Sequence, residues 1–246
     1  MRLSRNFQVF RVIFKERYRE PTLELVLPTM LVSNIFLTAF YERSGFQPLG
    51  IVLSFVPVIS VSETLAFAIG LRNLVFVTGD HLYRGSIISF LTMPVKRELL
   101  FLFVYVTDNF VPLAIWVLTE FLYSYLSGIG VPSLLLVTFV VGYFFSENLV
   151  FFLTLLFRSP GVSTLLAMFI LGGVFVFGGA ILYYQLLQGA TTGLYALSFS
   201  NPFVLWIANS LGKDLVPEIV TGLLVDGILG TLFLLVDFMM FRRLEL

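Results

Sequence analysis

The stretch Gly79–Glu98 reads GDHLYRGSIISFLTMPVKRE and separates two long apolar runs, residues 49–78 and 99–126. Each run exceeds the roughly 20 residues that a helix needs to cross the hydrocarbon core of a bilayer. The stretch between them differs in kind. Arg84, Lys96 and Arg97 give it positive charge, which marks the cytoplasmic side of a membrane protein. Residues 84–93 predict a short helix of about two and a half turns. Ile87, Ile88 and Leu91 then share one face, while Gly85, Ser86 and Ser89 keep the other thin. Pro94 ends the helix, because proline pushes the preceding residue out of helical geometry. An apolar face on such a helix either packs on the protein's own spans or docks in a partner's groove. The stretch alone leaves both open.

Outward from this connection lie four further apolar runs, residues 23–41, 133–157, 162–184 and 216–241. The expected fold class is therefore an all-α integral membrane protein with six transmembrane helices in a single transmembrane domain spanning 1–246. Composition agrees. Charged residues are 12% of the chain, against about 25% in a soluble domain, and mean hydropathy is +0.97. All lysines and arginines except Arg43 and Lys213 fall on the side of the Gly79–Glu98 connection. The charge rule then places both termini in the cytoplasm of a multi-pass protein of the cell membrane.

Two segments are neither spans nor plain loops. In residues 1–22, Leu3, Phe7, Phe10 and Phe14 share one helical face, and Arg11, Lys15 and Arg19 fall on another. A basic helix with an aromatic stripe lies in the membrane interface, as an anchor or as a lever on the spans. Pro21 and Pro28 bend the chain into the first span. Residues 185–215, on the opposite side, are too long for a simple loop. There Asn201-Pro202 pairs an N-cap with proline at the first helical position, and Gly212 can stop the helix. This predicts a short re-entrant helix, with a folded external lid as the alternative.

Four acids fall near the middle of the runs: Glu63, Asp108, Glu147 and Asp226, with Asp237 nearer one end. No lysine or arginine is expected at their depth. Intramembrane acids mark substrate or proton routes, or they hydrogen-bond neighbouring helices. Glu63, Asp108 and Glu147 are candidates for a pathway, and Asp226 for pathway or packing. The glycine pairs Gly172-Gly173 and Gly178-Gly179 allow close helix approach or kinks.

Other chemistry is missing from the sequence. There is no cysteine, and His81 is the only histidine, so no metal site is expected. No HExxH motif and no G-x-x-x-x-G-K-[ST] phosphate loop occurs. The chain is expected to be no enzyme by itself, to hold no cofactor and to bind no nucleic acid.

The order of parts resembles the membrane (permease) subunits of type-2 ABC transporters of the exporter kind. The most specific patch is Arg84-Gly85-Ser86, then Ile87 to Thr92, then Met93-Pro94-Val95-Lys96-Arg97. It is similar to that family's small-residue turn, leucine-rich helix and "P-x-x-R" exit. Asn201-Pro202-Phe203 looks like the family's stretch before the last span. The family often has a glutamate before the glycine of the first patch. Here Asp80 is the nearest acid and stands elsewhere.

The resemblance implies an interfacial elbow helix, a cytoplasmic coupling loop at 79–98 and short re-entrant helices at 185–215. It implies a second copy or paralogue of the permease and separate P-loop ATPase subunits that carry ATP and Mg. Arg84, Ile87, Ile88, Leu91 and Pro94 would make the coupling contact. The exported substrate would be amphiphilic, lipid-like or drug-like. Two other classes stay open on the residues: a proton-coupled secondary transporter using the intramembrane acids, and a non-transporting membrane scaffold.

Overall fold

The structure, a computed structural model, describes residues 2–19, 22–43, 50–93, 95–189 and 193–244. Every regular element among them is a helix. Helix α1 (Arg2–Arg17) precedes α2 (Thr22–Arg43), which contains Pro28. Helix α3 (Gly50–Leu71) continues through a π-helical segment, Arg72–Thr78, into α4 (Gly79–Tyr83). The short α5 (Ile87–Leu91) follows. Helix α6 (Arg97–Tyr105) passes through a second π segment, Val106–Phe110, into α7 (Val111–Ser127). After α8 (Ser133–Phe157), α9 (Pro160–Leu171) passes through a third, Gly172–Phe177, into α10 (Gly178–Gln188). The short α11 (Leu194–Leu197) and α12 (Pro202–Ser210) lead to α13 (Val216–Arg242).

Among the described residues, five helices are long and apolar enough to cross a membrane: Ile59–Tyr83, Arg97–Ser127, Ser133–Phe157, Pro160–Gln188 and Val216–Arg242. This is the make-up of an all-α membrane protein. Helix α2 contributes a shorter apolar stretch, Leu25–Ala39.

Two apolar clusters hold the bundle together. At the end that carries α5, Ile13, Leu74, Leu100, Phe101, Phe151 and Phe241 pack together. At the other end, Met30, Ile59, Trp116, Leu205, Trp206 and Ile219 do so. Helix α8 serves both, with Leu135 and Tyr143 in the second cluster and Phe145 and Leu149 in the first. The polar run Ser146-Glu147-Asn148, all buried, falls where they meet.

In the second and third π segments, side chains donate to backbone carbonyls of the segment. Pro112 has no N–H to give back to the preceding turn, and the π segment Val106–Phe110 lies just before it. The Tyr18 hydroxyl donates to the Thr107 carbonyl at 2.7 Å and the Tyr143 hydroxyl to that of Asn109 at 3.1 Å. In the third segment, Asn201 Nδ2 donates to the Phe175 carbonyl at 2.9 Å. Asn201 also caps α12, its Oδ1 accepting from the Val204 N–H. The segment holding α11 and α12 is thereby fixed against α10 and α13, with Leu205 and Trp206 buried.

Candidate functional site

The connection between the helices Ile59–Tyr83 and Arg97–Ser127 is more tightly turned than its sequence predicts. Helix covers only Ile87–Leu91. Gly85 breaks the run before it with φ of +72°, a conformation that suits glycine. Ile87 and Leu91 turn inward with Phe90 onto the first apolar cluster. Ile88 alone of the three predicted apolar residues faces out, 45% exposed, beside exposed Tyr83, Arg84 and Ser89. Arg84 Nε bonds Asp80 Oδ1 at 2.8 Å. Pro94 lies outside the described residues.

This exposed tip is wired into the bundle. Ser86 Oγ lies 2.7 Å from His81 Nδ1, and His81 Nε2 lies 2.7 Å from Glu16 Oε1 on α1. The other Glu16 oxygen accepts from Arg17 Nη1 at 2.6 Å. Arg17 then reaches between the two neighbouring π segments. Its Nε meets Asp108 Oδ1 at 2.7 Å, and its Nη2 donates to Thr78 Oγ1 at 2.9 Å. Thr78 in turn donates to Asp108 Oδ2 at 2.8 Å. Arg17, Thr78 and Asp108 are all buried. Burial tends to raise the Glu16 pKa, but the His81 hydrogen bond and the charges of Arg17 and His81 outweigh it. The carboxyl is held below its usual 4.5.

The expectation that no basic residue lies at the depth of the acids therefore fails for Asp108, which has a buried guanidinium partner. The expected face of α1 is also rotated. Phe7 is 65% exposed, while Ile13 and Arg17 are buried and Phe10 stacks edge-on against Phe103. Leu3 lies outside the residues whose side chains are described.

Beside Asp108, a cleft of about 380 Å³ opens between α6, the second π segment, α7, α8 and α13. Tyr105, Asn109, Tyr143, Glu147 and Asn148 are its polar lining, and Leu113, Val140, Phe144 and Leu234 are among its apolar walls. Exposed Phe110 stands at its rim. The Glu147 side chain is 1% exposed, and neither carboxyl oxygen has a hydrogen-bond partner among the described residues. It abuts Gly70 of α3, where any side chain would collide with the carboxyl and with the Tyr143 hydroxyl. Glu63, half-buried, lies seven residues before Gly70, two turns away on the same face.

Asp226 and Asp237 are fully buried with all four carboxyl oxygens unpartnered. Asp226 shares its stripe of α13 with Gly222 and Gly230, which press on Ser198 and on Phe144–Phe145. Among the described residues, no group of three or more His, Cys, Asp or Glu is gathered where it could hold a metal ion.

Sequence reasoning missed one acid site and one buried arginine. Glu120 of α7 accepts from Asn34 Nδ2 at 2.8 Å and Ser62 Oγ at 2.6 Å, tying α2, α3 and α7 together. The signal was present: Asn34, Ser62 and Glu120 each interrupt an apolar run. Arg17 was readable as well, since Phe10, Ile13, Phe14 and Arg17 follow helical spacing on one face. Comparison with protein-family models, curated proteins and solved structures finds no match.

Proposed function

We propose that this chain is the transmembrane subunit of an ATP-driven exporter of the type-2 ABC kind. Helix α2 would supply the first of six spans. Two such subunits would enclose the pathway, and separate P-loop ATPase subunits would supply the energy. The observation that carries the reading is the unbroken run of polar contacts from the exposed tip through His81, Glu16 and Arg17 to Asp108 and Thr78. A partner that pressed on Tyr83, Arg84 and Ile88 would move this network. Asp108 adjoins Asn109 in the cleft lining, so the movement would reach the cleft. Ile87 and Leu91 would serve this contact by seating α5 on the bundle, and Ile88 by touching the partner. The substrate would be amphiphilic, in keeping with apolar walls around a few polar groups. The test is gentle purification from the native host: an ATPase subunit with a phosphate-binding loop should co-purify with ATPase activity.

A second reading rests on the unpartnered carboxyls of Glu147, Asp226 and Asp237. Isolated buried carboxyls take up protons rather than hold charge, so these groups suit a proton-coupled transporter. It predicts substrate flux driven by a pH gradient in vesicles that contain this chain alone. Flux that requires ATP and a second polypeptide would rule it out.

A further inference from the structure

Glu147 is the chemical centre of the cleft. Its carboxyl is buried and, among the described residues, unpartnered, and no lysine, arginine or histidine of the described residues lines the space around it. The nearby ionisable groups that act on it through space are two further carboxyls, Asp108 and Glu63. Asp108 has Arg17 for itself; Glu147 has no counter-charge. A carboxylate left this way in a low-dielectric site is costly unless a cation reaches it.

The remaining lining says what kind of cation fits. The rings of Tyr105, Phe110, Tyr143 and Phe144 surround the space, and aromatic faces attract ammonium groups. The amides of Asn109 and Asn148 offer neutral acceptors beside the carboxyl. Leu113, Val140, Val141 and Leu234 provide an apolar wall for a hydrocarbon body. No cationic side chain of the described lining would neutralise a phosphate. The volume, about 380 Å³, lies in the range of small-molecule sites.

We propose that this cleft binds an amphiphilic amine, with its ammonium group paired to Glu147 and its apolar body on Leu113, Val140, Phe144 and Leu234. The idea rests on the transport reading only for the claim that the bound amine is then moved. Binding itself needs no ATPase.

The experiment uses the full chain in phosphatidylcholine nanodiscs, with empty nanodiscs subtracted. The probes are radiolabelled dodecylamine and its neutral counterpart dodecanol. Dodecylamine should bind saturably, and dodecanol should not compete. Glu147→Gln, which keeps shape and removes charge, should weaken dodecylamine binding about tenfold or more, as loss of a charge-assisted hydrogen bond implies. A diazirine-bearing alkylamine on the wild-type chain should label peptides from 105–113 and 140–148, which tests the site without a variant. Phosphatidylethanolamine that competed as well as dodecylamine would keep the amine site and assign its ligand to the bilayer. Equal binding of amine and alcohol, unchanged affinity in Glu147→Gln, or labelling confined to other helices would overturn the proposal. A chain that binds amine but never co-purifies with an ATPase would keep the site and remove the exporter reading. An active ATPase complex without amine binding would do the reverse.

Discussion

The Nε of Arg17 lies 2.7 Å from Oδ1 of Asp108, a residue 91 positions further along the chain, and both side chains are buried. This contact pins α1 to the second π segment, and Thr78 draws in the first. A terminal helix held only by its apolar face would be free to slide. This one is fixed at its C-terminal end by a charge pair shielded from water.

Removing one partner of a buried ion pair strands the other charge, at a cost of about 3–5 kcal/mol. Arg17→Ala should therefore lower thermal stability in detergent sharply. The double variant Arg17→Met with Asp108→Leu removes both charges and should recover much of the loss. Equal melting temperatures for the single and double variants would show that the two charges are not coupled.

Glu16 gives a pH signature. Its carboxyl is held below the usual 4.5 by the His81 hydrogen bond and the charges of Arg17 and His81, against the opposing effect of burial. A depressed folded pKa contributes stability that is fully present above the unfolded value and is lost as pH falls through the folded one. The melting temperatures of wild type and Glu16→Gln should thus differ by a constant amount above pH 4.5. The gap should close at lower pH. A gap that persisted in strong acid would assign the Glu16 contribution to packing.

Two glycines on α13 should respond in opposite ways. A Cβ at Gly222 would sit 2.5 Å from the Ser198 carbonyl oxygen, which is backbone and cannot swing aside, whereas a Cβ at Gly227 meets nothing within 4 Å. Gly222→Ala should destabilise by about 1–3 kcal/mol through overpacking. Gly227→Ala should be neutral or stabilising by up to about 1 kcal/mol through helix propensity. Unfolding in mixed micelles measures both.

Glu120 should behave as a structural acceptor. Glu120→Ala leaves Asn34 Nδ2 without its acceptor and Ser62 Oγ with the Ile59 carbonyl in its place, and a buried unsatisfied donor costs about 1–3 kcal/mol. Glu120→Gln keeps a carbonyl oxygen at the same place and should cost clearly less. The same unfolding assay separates them, and equal losses would point to the charge of Glu120 instead.

Hydropathy made the long apolar helices legible, because a helix that crosses lipid must be apolar over its length. The Asn201-Pro202 cap was also legible, being local chemistry between a side chain and its own first turn. The partners of the acids were not. The helix Arg97–Ser127 has 31 residues and is about 46 Å long, well beyond the roughly 30 Å of a hydrocarbon core. Position along such a helix does not fix depth, so Asp108 looked central when it meets Arg17 of α1. The π segments were hidden for a similar reason. In two of the three, a tertiary donor, Tyr18 with Tyr143 or Asn201, meets a backbone carbonyl of the segment, and no local pattern announces that. In α5, spacing placed Ile87, Ile88 and Leu91 on one face, but Gly85 turns the chain so that only Ile88 looks outward.

Ile88 is where the exporter account meets its most direct test. A photoreactive amino acid placed at Ile88, in native membranes of the source cells, reports what touches the exposed tip. The account predicts a crosslink to a separate polypeptide with a phosphate-binding ATPase loop, at higher yield than from a probe at exposed Phe7 on α1. Crosslinks from Ile88 only to lipid, or only to this chain itself, would contradict it.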